Sequence, residues 1–176
     1  LSFDPGGIGG IYVYRSIDGG LSWPQKSTVV EGTPLDKEWI ACDVNPSSPY
    51  AKRVYVGYTE DLGSIRVKSS LDGGQNWSAA VDVSDGTGLR NGISLATGPA
   101  GQVYATWFNF STARIQFDQS LDGGRTFGVD RNLAFIDPVP VIPHLSQPNS
   151  LPTLAVDTSG GPYRGYIYLF WTGYQF

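Results

Sequence analysis

Alternating apolar and polar positions recur along the chain at intervals of about fifty residues. In each of three segments, an isoleucine is followed two positions later by a second apolar residue. The pairs are Ile11 and Val13, Ile65 and Val67, and Ile115 and Phe117. A spacing of two predicts a β-strand with one buried face.

Three further apolar runs recur at a similar spacing. One closely precedes the strands of Ile65 and Ile115, at 54–56 and 103–105, and recurs at 167–169. Another lies upstream of that run each time, at 39–44, 93–97 and 154–157. A weaker run follows, for example at 79–83. Four strands in about fifty residues are typical of a propeller blade. The sequence therefore predicts an all-β protein, a β-propeller built of four-stranded antiparallel blades.

The strands that contain Ile11, Ile65 and Ile115 are each followed by an eight-residue polar turn, at 16–23, 70–77 and 120–127. It resembles the Asp-box, or BNR, repeat of the sialidase superfamily, sortilin-type receptors, some glucan hydrolases and photosystem assembly factors. The resemblance implies structural turns on the face opposite the substrate site. The segment at 36–43 also resembles bacterial proteins of the sialidase superfamily. The matching box residues are Ser16, Asp18, Gly20 and Trp23; Ser70, Asp72, Gly74 and Trp77; and Ser120, Asp122, Gly124 and Phe127.

The strand count predicts a partial propeller. We expect a half-blade at 1–30, blades at 36–84 and 90–134, and a half-blade at 152–176, about three blade equivalents where closed propellers have four to eight. The absence of methionine, even at position 1, indicates a piece of a longer precursor. We expect the remaining blades of a longer chain, or a second copy, to complete the ring. The resemblance implies six blades in the complete propeller.

Composition supports this fold and excludes several function classes. The 23 glycines and 12 prolines disfavour helices, and the 23 aromatic residues suit half-buried sheets. A net charge of −4 gives no indication of nucleic-acid binding, and no apolar run is long enough to span a membrane. With one cysteine, Cys42, and one histidine, His144, a Cys/His zinc site is excluded. We expect neither a metal nor a cofactor.

Candidate chemistry lies in the loops expected at the mouth of the propeller channel. The candidate substrate-binding residues there are Arg90, Glu60, Asp61 and Asp36. The resemblance implies a stricter set for sialidase chemistry: an arginine cluster, a tyrosine nucleophile paired with a glutamate, and an aspartate. The Phe/Tyr-Arg-Ile-Pro segment of the family is absent, so no catalytic residue is assigned.

The resemblance implies an extracellular or cell-surface protein that acts on or binds glycans, as part of an exo-glycosidase of sialidase type. Two alternatives remain open. One is a non-catalytic interaction or assembly scaffold, and the other is a lectin-like binder that does not hydrolyse its glycan.

Overall fold

The computed structural model describes residues 9–32, 34–136 and 150–173, and these contain twelve strands and no helix. The strands are β1 Gly10–Arg15, β2 Gln25–Glu31, β3 Leu35–Cys42, β4 Val54–Glu60, β5 Ser64–Ser70, β6 Val81–Asp82, β7 Arg90–Thr97, β8 Val103–Asn109, β9 Arg114–Ser120, β10 Arg131–Phe135, β11 Thr153–Val156 and β12 Ile167–Phe170.

The strands form four antiparallel meander sheets. The first half-sheet is β1–β2, the first full sheet is β3–β6, the second full sheet is β7–β10, and the last half-sheet is β11–β12. Within each full sheet, strands that follow one another in sequence are hydrogen-bonded neighbours. Because neighbouring strands are antiparallel, a meander needs only short connections, and the glycine-rich turns of the chain provide them.

The sheets stack face to face. β3 contacts β7, and β7 contacts β11, so the first strands of the two full sheets and of the last half-sheet line one side of the stack. Between the full sheets lies the largest apolar cluster, which includes Tyr55, Ile65 and Trp107, each 0% exposed. Smaller clusters join the half-sheets to the full sheets. This radial arrangement is that of a partial β-propeller.

The predicted single buried face is correct for β5 and wrong for β9. In β5, Ile65 and Val67 are buried while their neighbours are half-buried. In β9, four consecutive residues from Ile115 to Asp118 are buried, because a sheet packs against each face. The central strand β8 is buried along its whole length for the same reason.

The outer half-sheets leave aromatic side chains uncovered. On β12, Tyr168 and Phe170 are 49% and 63% exposed, whereas Leu169 packs against the second full sheet. On β1, Tyr12 and Tyr14 are exposed, while Ile11 packs against the first full sheet. The exposed side chains point away from the stack, because successive residues of a strand face opposite sides.

Candidate functional site

The four candidate substrate-binding residues lie toward the end of the stack at which β3 and β7 begin. Leu35 pairs with Glu60 and Arg90 pairs with Asn109 at this end, where β4 and β8 finish. We call it the mouth face. The three boxes follow β1, β5 and β9, so they lie at the opposite end, the box face.

Both innermost strands of the full sheets are interrupted by a bulge at the mouth face. The register of β3 shifts between Asp36 and Trp39, and that of β7 shifts between Asn91 and Ser94. Strand β3 therefore begins at Leu35, four residues before the predicted run at 39–44. A bulge bends its strand and redirects side chains, which is why bulges are common beside functional sites.

The two bulges place Asp36 and Asn91 in direct contact. The Asn91 side-chain amide donates a hydrogen bond of 2.8 Å to Asp36 Oδ2, and Asn91 Oδ1 accepts one of 2.9 Å from Thr59 Oγ1. Asp36 Oδ1 accepts the Lys37 backbone N–H at 2.9 Å. A carboxylate, an amide and a hydroxyl from three strands are thus held in one half-buried network.

Strained backbone is concentrated at the same face. Among the described residues, five non-glycines have positive φ, and four of them lie at the mouth face: Lys37 (50°), Asp61 (50°), Leu62 (58°) and Ala113 (53°). The fifth, Lys52 (72°), lies at the box face. At the position of Lys37, the β7 bulge has Gly92 (78°). A non-glycine residue costs free energy in this backbone conformation, and such residues cluster at functional sites.

Arg90, a candidate substrate-binding residue, is directed into the protein. It is 4% exposed, and its guanidinium donates hydrogen bonds to the carbonyls of Gly63, Asp85, Gly86 and Thr87. These contacts close the connection between the full sheets around the arginine. The geometry favours a structural role, and substrate binding by Arg90 stays a prediction.

Glu60, a second candidate, belongs to an ion-pair group with Arg66 and Asp82. Arg66 Nε lies 2.6 Å from Glu60 Oε2, and Arg66 Nη1 lies 3.0 Å from Asp82 Oδ1. Asp61 follows Glu60 in the exposed β4–β5 turn. The structure brings Asp36 into a polar network, Glu60 into the ion-pair group and Asp61 into an exposed turn, and binding by any of them stays a prediction.

Tyr58 lies beneath this ion-pair group, but its environment opposes nucleophilic chemistry. The side chain is 0% exposed, and its hydroxyl has no hydrogen-bond partner. Burial, with a further contribution from Glu60, raises the pKa of Tyr58 to about 12. A nucleophilic tyrosine needs a stabilised phenolate, and burial disfavours that charge.

The three boxes share one hydrogen-bond pattern. In each, the serine hydroxyl donates to the aspartate at 2.7 or 2.8 Å and accepts the N–H of the second glycine at 2.8 Å. The aspartate carboxylate also accepts hydrogen bonds from the backbone N–H and from the side chain of the seventh residue of the box. The Asn76 backbone and side-chain hydrogen bonds, followed by that of Ser70, hold the pKa of Asp72 below its usual range.

Two arginines that the sequence did not single out connect neighbouring sheets at the box face. Arg15 Nη1 donates to the Gly73 carbonyl at 3.0 Å, and Arg53 Nη1 donates to the Gly123 carbonyl at 2.8 Å. In both cases the acceptor is the first glycine of the next box. Arg15 is the last residue of β1 and Arg53 immediately precedes β4, so the two contacts come from different positions in the blade and no sequence repeat indicates them.

No group of three or more Cys, His, Asp or Glu side chains in the described ranges is arranged to hold a metal ion. His144 lies outside those ranges. None of the described segments forms a helix of the length and apolar character needed to cross a bilayer.

Comparison with solved structures identifies the architecture. The chain superposes on a mutant of NanB sialidase from Streptococcus pneumoniae with a TM-score of 0.58 and 15% identity, over 88% of this chain. The chain has the sialidase-type β-propeller fold. A leech intramolecular trans-sialidase in complex with 2,7-anhydro-Neu5Ac gives a TM-score of 0.52 and 15% identity, over 90% of this chain.

The chain spans only part of these proteins, 22% of the NanB chain and 29% of the leech chain. No protein-family profile matches the sequence, and no curated protein sequence matches it. At this identity the similarity describes the fold, and the activity of the two sialidases does not transfer with it.

Proposed function

We propose that this sialidase-type propeller segment binds an extracellular glycan at its mouth face. The Asp36–Asn91–Thr59 network carries the proposal, because it joins polar side chains of both full sheets at two matched bulges. Sugars are recognised through hydroxyl groups that donate and accept hydrogen bonds, and carboxylate and amide groups provide both kinds of partner. The buried Thr59 hydroxyl holds the Asn91 side chain in place. The backbone strain at Lys37 supports the same location.

Hydrolysis of the bound glycan would be a more specific function, and it would require catalytic residues other than Arg90 and Tyr58. In the described ranges Arg90 is bound by backbone carbonyls, and Tyr58 is buried with a raised pKa. These observations favour binding without turnover, as in a lectin-like protein. They also suit the second candidate function, a non-catalytic scaffold whose surface binds protein.

Glycan-array binding and turnover of fluorogenic glycosides test these functions together. We expect the chain to bind a defined set of glycans, and Asp36→Ala and Asn91→Ala to weaken binding at least tenfold. Asp157→Ala is the matched control, since Asp157 follows β11 at the box face. Loss of binding in the control as well, or absence of glycan binding by the wild type, would refute the proposal and favour the scaffold.

We also propose that further strands cover the half-sheets, from a longer chain or from a second copy. Within the described ranges, Tyr168 and Phe170 are exposed and β12 pairs with β11 alone. This supports the proposal, because exposed strand edges promote association. Light scattering coupled to size exclusion should show a dimer or larger assembly for the 176-residue chain. A stable monomer would count against the second copy.

A further inference from the structure

We propose that the glycan bound at the mouth face is a neutral sugar, held through a pair of its hydroxyl groups by the Asp36 carboxylate. The inference rests on the proposed function and names its ligand class. It follows from how the charged groups of the mouth face are already engaged.

Arg90 and Arg66, the two arginines beside the candidate residues of the mouth face, are occupied by protein acceptors. Recognition of a sugar carboxylate requires guanidinium groups whose paired N–H donors point at the ligand. Arg90 directs its terminal nitrogens at four backbone carbonyls and is almost fully buried. Arg66 contacts the carboxylates of Glu60 and Asp82. A carboxylate-bearing sugar therefore meets paired guanidinium groups at these two positions. Arg114, at the start of β9, is two strands outward from β7 in the second full sheet and lies over the Phe135 ring.

Asp36, by contrast, keeps acceptor capacity. A carboxylate offers about four lone-pair sites, and Asp36 uses one on each oxygen, for the Lys37 N–H and the Asn91 amide. The remaining sites suit hydroxyl donors, and two adjacent hydroxyls can engage both oxygens at once. The Asn91 contact fixes the orientation of the carboxylate in advance, which lowers the entropic cost of binding.

The negative charge of Asp36 also selects against acidic sugars. A ligand carboxylate at this position is repelled by Asp36, and Glu38 and Asp61 are exposed carboxylates on the same face. Lys37 lies between Asp36 and Glu38 in sequence, so its charge is offset locally. A neutral sugar is free of this repulsion and gains the hydrogen bonds.

The test compares matched neutral and sialylated glycans, beginning with lactose and 3′-sialyllactose, by titration calorimetry and on an array of such pairs. We expect the neutral member of a bound pair to bind at least tenfold more tightly, with little dependence on salt. Asp36→Asn should reduce neutral-sugar binding at least tenfold while its melting temperature shows that it remains folded.

Lys37→Gln and Lys52→Gln form a matched pair, because both lysines have positive φ and lie at opposite faces. We expect both variants to keep the wild-type preference for neutral sugars. If the wild type prefers sialylated glycans, and the Lys37→Gln variant loses this binding while Lys52→Gln keeps it, the inference is wrong but the proposed glycan binding is supported. If neither class of glycan binds, the proposed function is wrong and the inference falls with it.

Discussion

Asp130 should make the protein more stable at mildly acidic pH than at neutral pH. It precedes β10 in the second full sheet, and its N–H donates a 3.0 Å hydrogen bond to Asp85 Oδ2 in the connection that follows the first full sheet. Its own Oδ1 is buried without a hydrogen-bond partner. Burial raises the pKa of Asp130 to about 6; the charges of Asp85 and Asp118 add to this shift, whereas a backbone hydrogen bond from Asp85 and the charge of Arg90 oppose it.

The sign of the effect follows from proton binding. Between the unfolded pKa of 3.8 and the folded pKa of about 6, the folded chain holds the Asp130 proton more tightly than the unfolded chain. The free energy of unfolding therefore falls as pH rises through this window. The full shift corresponds to about 3 kcal/mol, and solvent screening of a partly exposed group reduces this to about 1–2 kcal/mol.

Urea unfolding at pH 4.5 and pH 7.5 measures this difference. Asp130→Asn removes the titrating group, so the variant should exceed the wild type by about 1–2 kcal/mol at pH 7.5 and match it more closely at pH 4.5. Asp157→Asn provides the opposite control, since the Ser159 hydroxyl lowers the pKa of Asp157. A constant difference between wild type and Asp130→Asn across both pH values would refute the reasoning.

Two further predictions concern packing between strands. Gln116 Oε1 accepts hydrogen bonds from the buried Trp107 indole and from a buried asparagine amide, so Gln116→Leu should cost about 2–4 kcal/mol in urea unfolding. The exposed Gln75→Leu should cost less than about 0.5 kcal/mol, and equal losses would contradict the first estimate. A Cβ added at Gly57 would lie 2.6 Å from Ile93 Cδ1, so Gly57→Ala should cost about 1–3 kcal/mol, and an unchanged melting temperature would refute this packing.

The sheets could be predicted because their signal is periodic. Apolar spacing marked the strands, and the boxes marked the turn after β5 and β9, where hydrogen bonds run between residues at most four apart. Burial could not be predicted as well. The periodicity of β9 indicates one buried face, and its second buried face depends on a neighbouring sheet that local sequence does not report.

The mouth network was predicted only in part. Asp36 was a candidate, but its contact with Asn91 depends on two bulges in strands separated by about fifty residues. The sequence holds one usable signal, since alignment of Ile40-Ala41 with Leu95-Ala96 places Lys37 opposite Gly92. The orientation of Arg90 carries no such signal, because the carbonyls that surround it are assembled by folding.

The box face and the mouth face differ in which residues adopt left-handed backbone and in how that backbone is stabilised. In each of the three boxes, glycines occupy the left-handed positions, and arginines from the preceding sheet bind the second and third boxes. At the mouth face, Lys37, Asp61 and Ala113 hold left-handed backbone without the relief that glycine provides. The box face and the apolar clusters must then supply the stability that offsets this strain. Replacing Lys37 with glycine should consequently stabilise the fold, and a loss of glycan affinity in the same variant would show that the strain serves binding.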